Sequence, residues 1–151
     1  MRLNAQQFKQ KLENNTLVMS LIGMSNMGKT YWSKQLTKLN FQRFGCDDLI
    51  EKKLSPELKA QGYQGITEVA AWMGQPYETR SKARQEKYLN FEKQVMEEIF
   101  HGLQVGHTSR TVLDTTGSVI HIGEALCEKL KQETLVVYLS ASPSQQEQMF
   151  Q

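Results

Sequence analysis

The residues with the strongest chemical signal lie near the N-terminus, in the run Gly23-Met24-Ser25-Asn26-Met27-Gly28-Lys29-Thr30. The spacing Gly-x4-Gly-Lys-Thr matches the phosphate-binding P-loop motif at every defined position. Its glycines let successive backbone N–H groups point at phosphate oxygens, and the helix that follows adds the positive end of its dipole. Lys29 would reach the β- and γ-phosphates and the Thr30 hydroxyl would hold Mg²⁺. The run therefore predicts a site for ATP and Mg²⁺; the alternative is a glycine-rich turn that happens to contain Lys-Thr.

Two carboxylates stand where catalysis would need them. Asp114 ends the apolar run Thr111-Val112-Leu113, the place of a Walker B acid that holds Mg²⁺ directly or through water. Asp47 follows a short strand candidate, where it would accept a proton from a substrate hydroxyl. Each has a plainer alternative, since aspartate is common at strand ends and in the first turn of a helix. With Lys29, these two aspartates are the predicted catalytic residues.

A charged segment, 78–87, supplies the remaining candidates. Arg80 or Arg84 would bind a substrate carboxylate or phosphate through a bidentate contact. The alternative is a solvated helix face, the usual meaning of such a run. The histidines at 101, 107 and 121 share no metal-ligand spacing and are interpreted as surface or loop residues.

The elements that must position these residues alternate between strands and helices. Apolar, β-branched runs predict strands over 16–22, 41–44, 111–114 and 134–139. A helix is predicted directly after the P-loop, with Trp32, Leu36 and Leu39 on its buried stripe. Two separate helices are predicted after the second strand, one that starts at Asp47 and one that starts at Ser55-Pro56. The remaining helices are predicted over 2–13, 67–73, 77–101 and 123–131, with a last one that starts at Ser142-Pro143. This alternation indicates an α/β fold with a parallel sheet, which binds ligands at the carboxyl ends of its strands.

Composition limits the class of protein. A length of 151 residues is typical of one domain, and we expect a single domain over 1–151. A net charge of +2, from 18 basic and 16 acidic residues, is far below that of a dedicated nucleic-acid binder. No apolar run approaches the roughly 20 residues that span a bilayer, and the polar N-terminus does not read as a signal peptide. We therefore expect a cytoplasmic protein that binds neither nucleic acid nor membrane.

Taken in order over residues 16–150, these motifs resemble the shikimate kinase family, a group of small P-loop kinases related to nucleoside monophosphate kinases. The resemblance includes Gly23 to Thr30, Asp47 with Ile50-Glu51, and the segment Thr111 to Val119. It implies a three-layer α/β/α domain that transfers the γ-phosphoryl group of ATP to a hydroxyl of a small molecule. It also implies that Asp47 and Gly117 contact that acceptor, with Arg80 or Arg84 in the place of the family's carboxylate-binding arginine.

The end of the chain departs from the family. Family members continue past the fourth strand into an arginine-bearing lid and a fifth strand, whereas about a dozen residues follow Leu139 here and no arginine follows Arg110. We therefore expect the C-terminal part of the fold to be missing, and its open sheet edge to favour pairing with a second copy of the chain. Two alternatives to a small-molecule kinase stay open: a nucleotide-binding regulatory module without phosphotransfer, and a nucleoside or nucleotide kinase. An NTP-hydrolysing switch ranks below both, because no Asn-Lys-x-Asp motif occurs.

Overall fold

A four-stranded, all-parallel sheet forms the centre of the computed structural model, which describes residues 1–105 and 109–149. The strands are β1 (Val18–Ile22), β2 (Gln42–Gly45), β3 (Thr111–Asp114) and β4 (Leu135–Tyr138). Their spatial order is β2-β3-β1-β4, so β1 lies between β3 and β4. Ser20 of β1 stands opposite Leu113 on one side and Val136 on the other. The predicted α/β class with a parallel sheet is confirmed.

Helices connect the strands. Within the described residues they are α1 (Ala5–Glu13), α2 (Lys29–Thr37), α3 (Cys46–Ala60), α4 (Val69–Met73), α5 (Thr79–Gln104), α6 (Glu124–Glu133) and α7 (Pro143–Met149), with short 3₁₀ turns at Ile66–Glu68 and Val119–His121. The side chain of Asn4 accepts a hydrogen bond from the Gln7 amide, and the Gln7 side chain bonds back to the Asn4 amide. This capping box fixes the start of α1.

Apolar side chains cover both faces of the sheet. Neighbouring residues of a strand point to opposite faces, and Val112 and Leu113 accordingly belong to two separate buried clusters. The larger cluster joins Leu113 to α3, α4, α5 and α6, with Trp72 and Phe100 fully buried in it. The smaller one joins Val112 and Leu21 to α1 and α2. A layer of helices thus lies on each side of the strands.

One helix replaces the two predicted after β2. The separate helix expected from Ser55-Pro56 is wrong, because α3 runs without a break from Cys46 to Ala60 and contains Pro56. Proline costs a helix one hydrogen bond, about 3 kcal/mol in an ordinary interior position. Ile50, Leu54 and Leu58 are buried at intervals of four residues on both sides of it. Burial of this continuous stripe outweighs the local preference for a break.

The predicted buried stripe of α2 is also wrong in part. Trp32 and Leu39 are 53% and 59% exposed, and only Leu36 packs against the core. The buried side chains of α2 are instead Lys29 and Ser33, both polar. The buried face of the first turns of α2 is therefore polar and not apolar.

On the long helix α5, Val95 and Ile99 are buried in the core, while Tyr88 and Phe91 are half-buried. No helix in the ranges 1–105 and 109–149 combines the length and the apolar character that a membrane span requires. Among the described strands, β2 and β4 form the two edges of the sheet.

Candidate functional site

A cleft of about 800 Å³ opens where the carboxyl ends of β1, β2 and β3 meet. Each wall comes from the segment that follows a strand: the P-loop after β1, the first turn of α3 after β2, and residues 116–118 after β3. The middle of α5 and the end of α4 complete it. The lining residues are Met24, Ser25, Asn26, Gly28, Lys29, Thr30, Tyr31, Asp47, Met73, Tyr88, Thr116, Gly117, Ser118 and His121. Most of the sequence-predicted site residues therefore lie in one cavity.

The backbone of the P-loop requires its glycines. Gly23 has φ +148° and Gly28 has φ +94°, and a side chain is strained at either value. A Cβ on Gly23 would lie 2.5 Å from the backbone carbonyl oxygen of Leu139, just past β4. Asn26 also has a positive φ, +66°, which asparagine tolerates better than most residues. Met27 lies on the far side of the loop, in a second cavity of about 410 Å³ beside Gln145.

Lys29 lies across the loop that precedes it. Its Nζ donates to the carbonyl oxygens of Gly23 at 2.6 Å and of Met24 at 2.8 Å, and the residue is 7% exposed. Burial lowers the pKa of Lys29, while the charges of Asp114 and Asp47 oppose that shift. Thr30 follows in the first turn of α2, exposed in the cleft. An ammonium group, a hydroxyl and the free N–H groups of a helix start thus share one wall.

The buried carboxylate of Asp114 has a cationic partner. Its Oδ2 accepts from Arg43 Nη2 at 2.5 Å and from Ser33 Oγ at 3.1 Å, while Arg43 Nε donates to Ser33 Oγ at 2.8 Å. Asp114 is 4% exposed and lies behind the residues that line the cleft. The ion pair satisfies the charge of a carboxylate that burial alone would penalise.

Asp47 lies in the cleft with one oxygen held in place. The Tyr88 hydroxyl donates to its Oδ1 at 2.9 Å. Displacement of water by neighbouring side chains raises the pKa of Asp47, and the hydrogen bond from Tyr88 opposes that rise. Burial, reinforced by the charge of Asp47, raises the pKa of Tyr88, so its hydroxyl keeps its proton and donates. None of the described residues donates to the second carboxylate oxygen of Asp47, which can therefore meet a ligand that carries a hydroxyl.

The loop after β3 forms a further wall of the cleft and lies against the P-loop where Gly117 meets Ser25. Thr116 Oγ1 donates to Glu92 Oε1, and Ser118 Oγ donates to Glu92 Oε2 at 2.8 Å. Gly117 lies between them, where a Cβ would approach Ser25 Oγ to 3.0 Å. Glu92 itself is 1% exposed, on α5. Burial raises the pKa of Glu92, and the two hydroxyl donors oppose that rise.

The two predicted arginines lie outside the cleft lining. Arg80 Nε donates to Glu78 Oε2 at 2.8 Å on the exposed start of α5. Arg84 donates to the Trp72 backbone oxygen and to Gln61 Oε1, with its guanidinium 5.2 Å from the centre of the Trp72 ring. The contacts of Arg84 connect α5 to α4 and to the end of α3.

Sequence reasoning missed Arg43, Tyr88 and Glu92 as site residues, and placed His121 outside the site. Glu92 left a signal, because it lies four residues after Tyr88 on the buried side of α5 and four before Met96. A charged residue on an otherwise apolar helix face needs a partner. Arg43 left none, since its partner Asp114 is 71 residues away. His107 lies outside the described residues.

The donor set fits a nucleotide-held cation better than a metal cage. Among the described residues, no group of three or more His, Cys, Asp or Glu side chains could hold a metal ion. Mg²⁺ commonly takes one or two protein oxygens and completes its shell with phosphates and water. Thr30 lies in the cleft for this, and Asp114 behind it has Oδ2 engaged by Arg43.

Comparison with known proteins does not assign the chain to a family, so its function is inferred from the geometry of the cleft. No family model matches the chain, and no curated protein matches it.

Proposed function

We propose that this chain has a P-loop kinase fold of three α/β/α layers and is an ATP-dependent kinase of the shikimate kinase-like group. It would transfer the γ-phosphoryl group to a hydroxyl of a small molecule. One observation carries the proposal: six of the eight P-loop residues, Lys29 and Thr30 among them, line the same cleft as the half-anchored carboxylate of Asp47. Phosphoryl transfer needs such an arrangement, a cradle for phosphates on one side and a group that orients the attacking hydroxyl on the other.

The phosphates would lie along the P-loop and the start of α2. The N–H groups of the first turn of α2 have no partners within the helix and would bond phosphate oxygens. Lys29 would exchange the carbonyl oxygens of Gly23 and Met24 for the β- and γ-phosphates. Mg²⁺, when bound, would neutralise phosphate charge, held by Thr30 and by Asp114 directly or through water.

Asp47 would position the acceptor. As transfer proceeds, the acceptor oxygen forms a bond to the γ-phosphorus while the bond from phosphorus to the bridging oxygen of ADP breaks. The hydroxyl proton passes to the free oxygen of Asp47 and then to water. The raised pKa of Asp47 makes it a better proton acceptor than an ordinary aspartate, and Tyr88 keeps its carboxyl plane fixed.

A regulatory nucleotide-binding module is the second candidate. The observation in its favour is the Arg43–Asp114 ion pair, which already compensates the charge that a bound Mg²⁺ would otherwise meet. A protein that only senses nucleotide needs the P-loop and not the transfer chemistry at Asp47.

Transfer from ATP labelled at the γ-phosphate, measured with a panel of hydroxylated metabolites, separates the two candidates. We expect Asp47→Asn to lower kcat by about 10²–10⁴-fold, the usual range for a lost general base, with little change in ATP affinity. Asp48→Asn is the matched control, because Asp48 is the next residue of the same helix, lies outside the cleft lining and, at 55% exposure, makes only a long 3.5 Å contact with Arg43. Equal loss of kcat and of ATP affinity in Asp47→Asn would make Asp47 structural. Bound ATP with no labelled product from any acceptor would favour the module.

A further inference from the structure

We infer that the phosphoryl acceptor is an uncharged or cationic molecule that presents hydrogen-bond donors, such as a polyol or an amino alcohol, and that Glu92 selects it as a positioning residue through Thr116 and Ser118. The inference rests on the proposed function and names the acceptor class for the same cleft. It follows from where the protons on the cleft wall point.

Glu92 takes both hydroxyl protons of this wall. A hydroxyl group has one proton to donate and two lone pairs. Thr116 Oγ1 and Ser118 Oγ each donate to a different oxygen of the Glu92 carboxylate. The Ser118 amide also donates to Thr116 Oγ1, at 3.2 Å. The lone pairs that remain, chiefly on Ser118 Oγ, are what the wall offers to a ligand.

Asp47 repeats the pattern. Tyr88 donates its hydroxyl proton to Oδ1 of Asp47, so this pair offers a ligand the other carboxylate oxygen, which accepts, and no donor. Asp47, Thr116 and Ser118 all line the cleft, and Glu92 lies directly behind the two hydroxyls. A ligand that donates hydrogen bonds pairs with these acceptors, whereas a ligand that only accepts hydrogen bonds leaves them unpaired.

Charge supports the same class. Asp47 lines the cleft and Glu92 lies behind Thr116 and Ser118, so a ligand carboxylate or phosphate beside them would meet repulsion. The basic residues of the lining are Lys29, whose ammonium group is held at the P-loop, and His121. The arginines that sequence alone assigned to anion binding are held elsewhere, Arg80 by Glu78 and Arg84 by Trp72 and Gln61.

Three two-carbon alcohols that differ in the charge and hydrogen-bonding capacity of their second functional group test the inference: ethanolamine, ethylene glycol and glycolate. Backbone amide shifts of Asp47 and Ser118 are followed by NMR during titration of each probe, in buffer with inorganic phosphate to occupy the P-loop. We expect saturable shifts with ethanolamine and ethylene glycol and none with glycolate. Ser118→Ala should weaken ethanolamine binding by about 3–10-fold, the effect of one lost hydrogen bond.

Glu92→Gln gives a signature that a merely structural role would not. Its amide N–H₂ must donate to one of the two hydroxyls, which turns that hydroxyl's proton toward the cleft, and removal of the charge lifts the repulsion. The variant should therefore bind glycolate while losing affinity for ethanolamine. Glu97→Gln, exposed on the same helix, is the matched control and should change neither. If Glu92→Gln does not fold, the half-buried Ser118→Ala carries the test.

The inference is overturned if glycolate saturates at least as tightly as ethanolamine, if none of the probes saturates at Asp47 and Ser118, or if Ser118→Ala leaves ethanolamine binding unchanged. Calorimetry with Mg-ATP on the same sample keeps the proposed function separate. Binding of Mg-ATP without the probe preference rejects the acceptor class alone. Probe preference without Mg-ATP binding rejects the kinase and leaves a donor-selective subsite.

Discussion

Arg43→Met should be among the most destabilising changes available near the cleft. Asp114 is 4% exposed and the Arg43 side chain 18%, so the variant leaves a carboxylate buried without its cation. Removal of one partner from a buried ion pair costs about 3–5 kcal/mol. With a urea slope near 2 kcal/mol/M, the unfolding midpoint should fall by about 1.5–2.5 M. The loss is a large share of the roughly 5–15 kcal/mol that a domain has.

Urea unfolding followed by circular dichroism measures this loss, with trimethylamine oxide added if the variant is partly unfolded in water. Adding Asp114→Asn removes the orphaned charge and should restore about 2 kcal/mol or more. Lys9→Met is the control, because Lys9 and Glu13 are 76% and 64% exposed at 3.8 Å and such a pair contributes below about 0.5 kcal/mol. A loss under about 1 kcal/mol in Arg43→Met, or a double variant that loses the sum of both single losses, would refute the reasoning.

Two further changes test the geometry of the cleft. Tyr88→Phe removes the hydrogen bond that lowers the pKa of Asp47, so the pKa of Asp47 should rise. Because Asp47 must be ionised to accept a proton, the acid limb of the kcat/KM profile should move to higher pH. The control Tyr77→Phe alters an exposed tyrosine and should leave the acid limb in place. An acid limb that stays in place would contradict that role. Gly23→Ala should lower Tm by about 2–10 °C, from strain of roughly 1–3 kcal/mol, whereas Gly102→Ala, where a Cβ meets open space, should not lower it. Equal melting temperatures for Gly23→Ala and the unaltered chain would mean that the loop relaxes freely.

The structural features that could be predicted from the sequence are those set by residues close together along the chain. The P-loop is recognisable because its glycines, its lysine and the adjoining strand and helix lie within about 20 residues. Apolar, β-branched runs predicted each strand of the described sheet to within a few residues. The break expected at Pro56 failed because burial of Ile50, Leu54 and Leu58 against α5 is a tertiary effect. Local preference loses where a continuous apolar stripe can be buried.

Only part of the lining of the cleft could be predicted from the sequence. Lys29, Thr30 and Asp47 follow from motif and position, since the carboxyl ends of parallel strands share one edge of a sheet. Arg43–Asp114 and Glu92–Thr116 join residues 71 and 24 positions apart, and no spacing rule connects such pairs. Arg80 and Arg84 were chosen for charge alone, and charge does not say which way a helix turns its side chains.

Binding of Mg-ATP to the unaltered chain and to Lys29→Ala, measured by isothermal calorimetry, tests the central proposal most directly. Lys34→Ala, exposed on the same helix, serves as the control, and circular dichroism establishes that each variant is folded. We expect micromolar, Mg²⁺-dependent binding to the unaltered chain and to the control. Lys29→Ala should bind at least about 10-fold more weakly, since a charged hydrogen bond contributes roughly 1.5–3 kcal/mol. Equal affinity in Lys29→Ala, or no binding by the folded unaltered chain, would contradict the nucleotide site on which the proposed function depends.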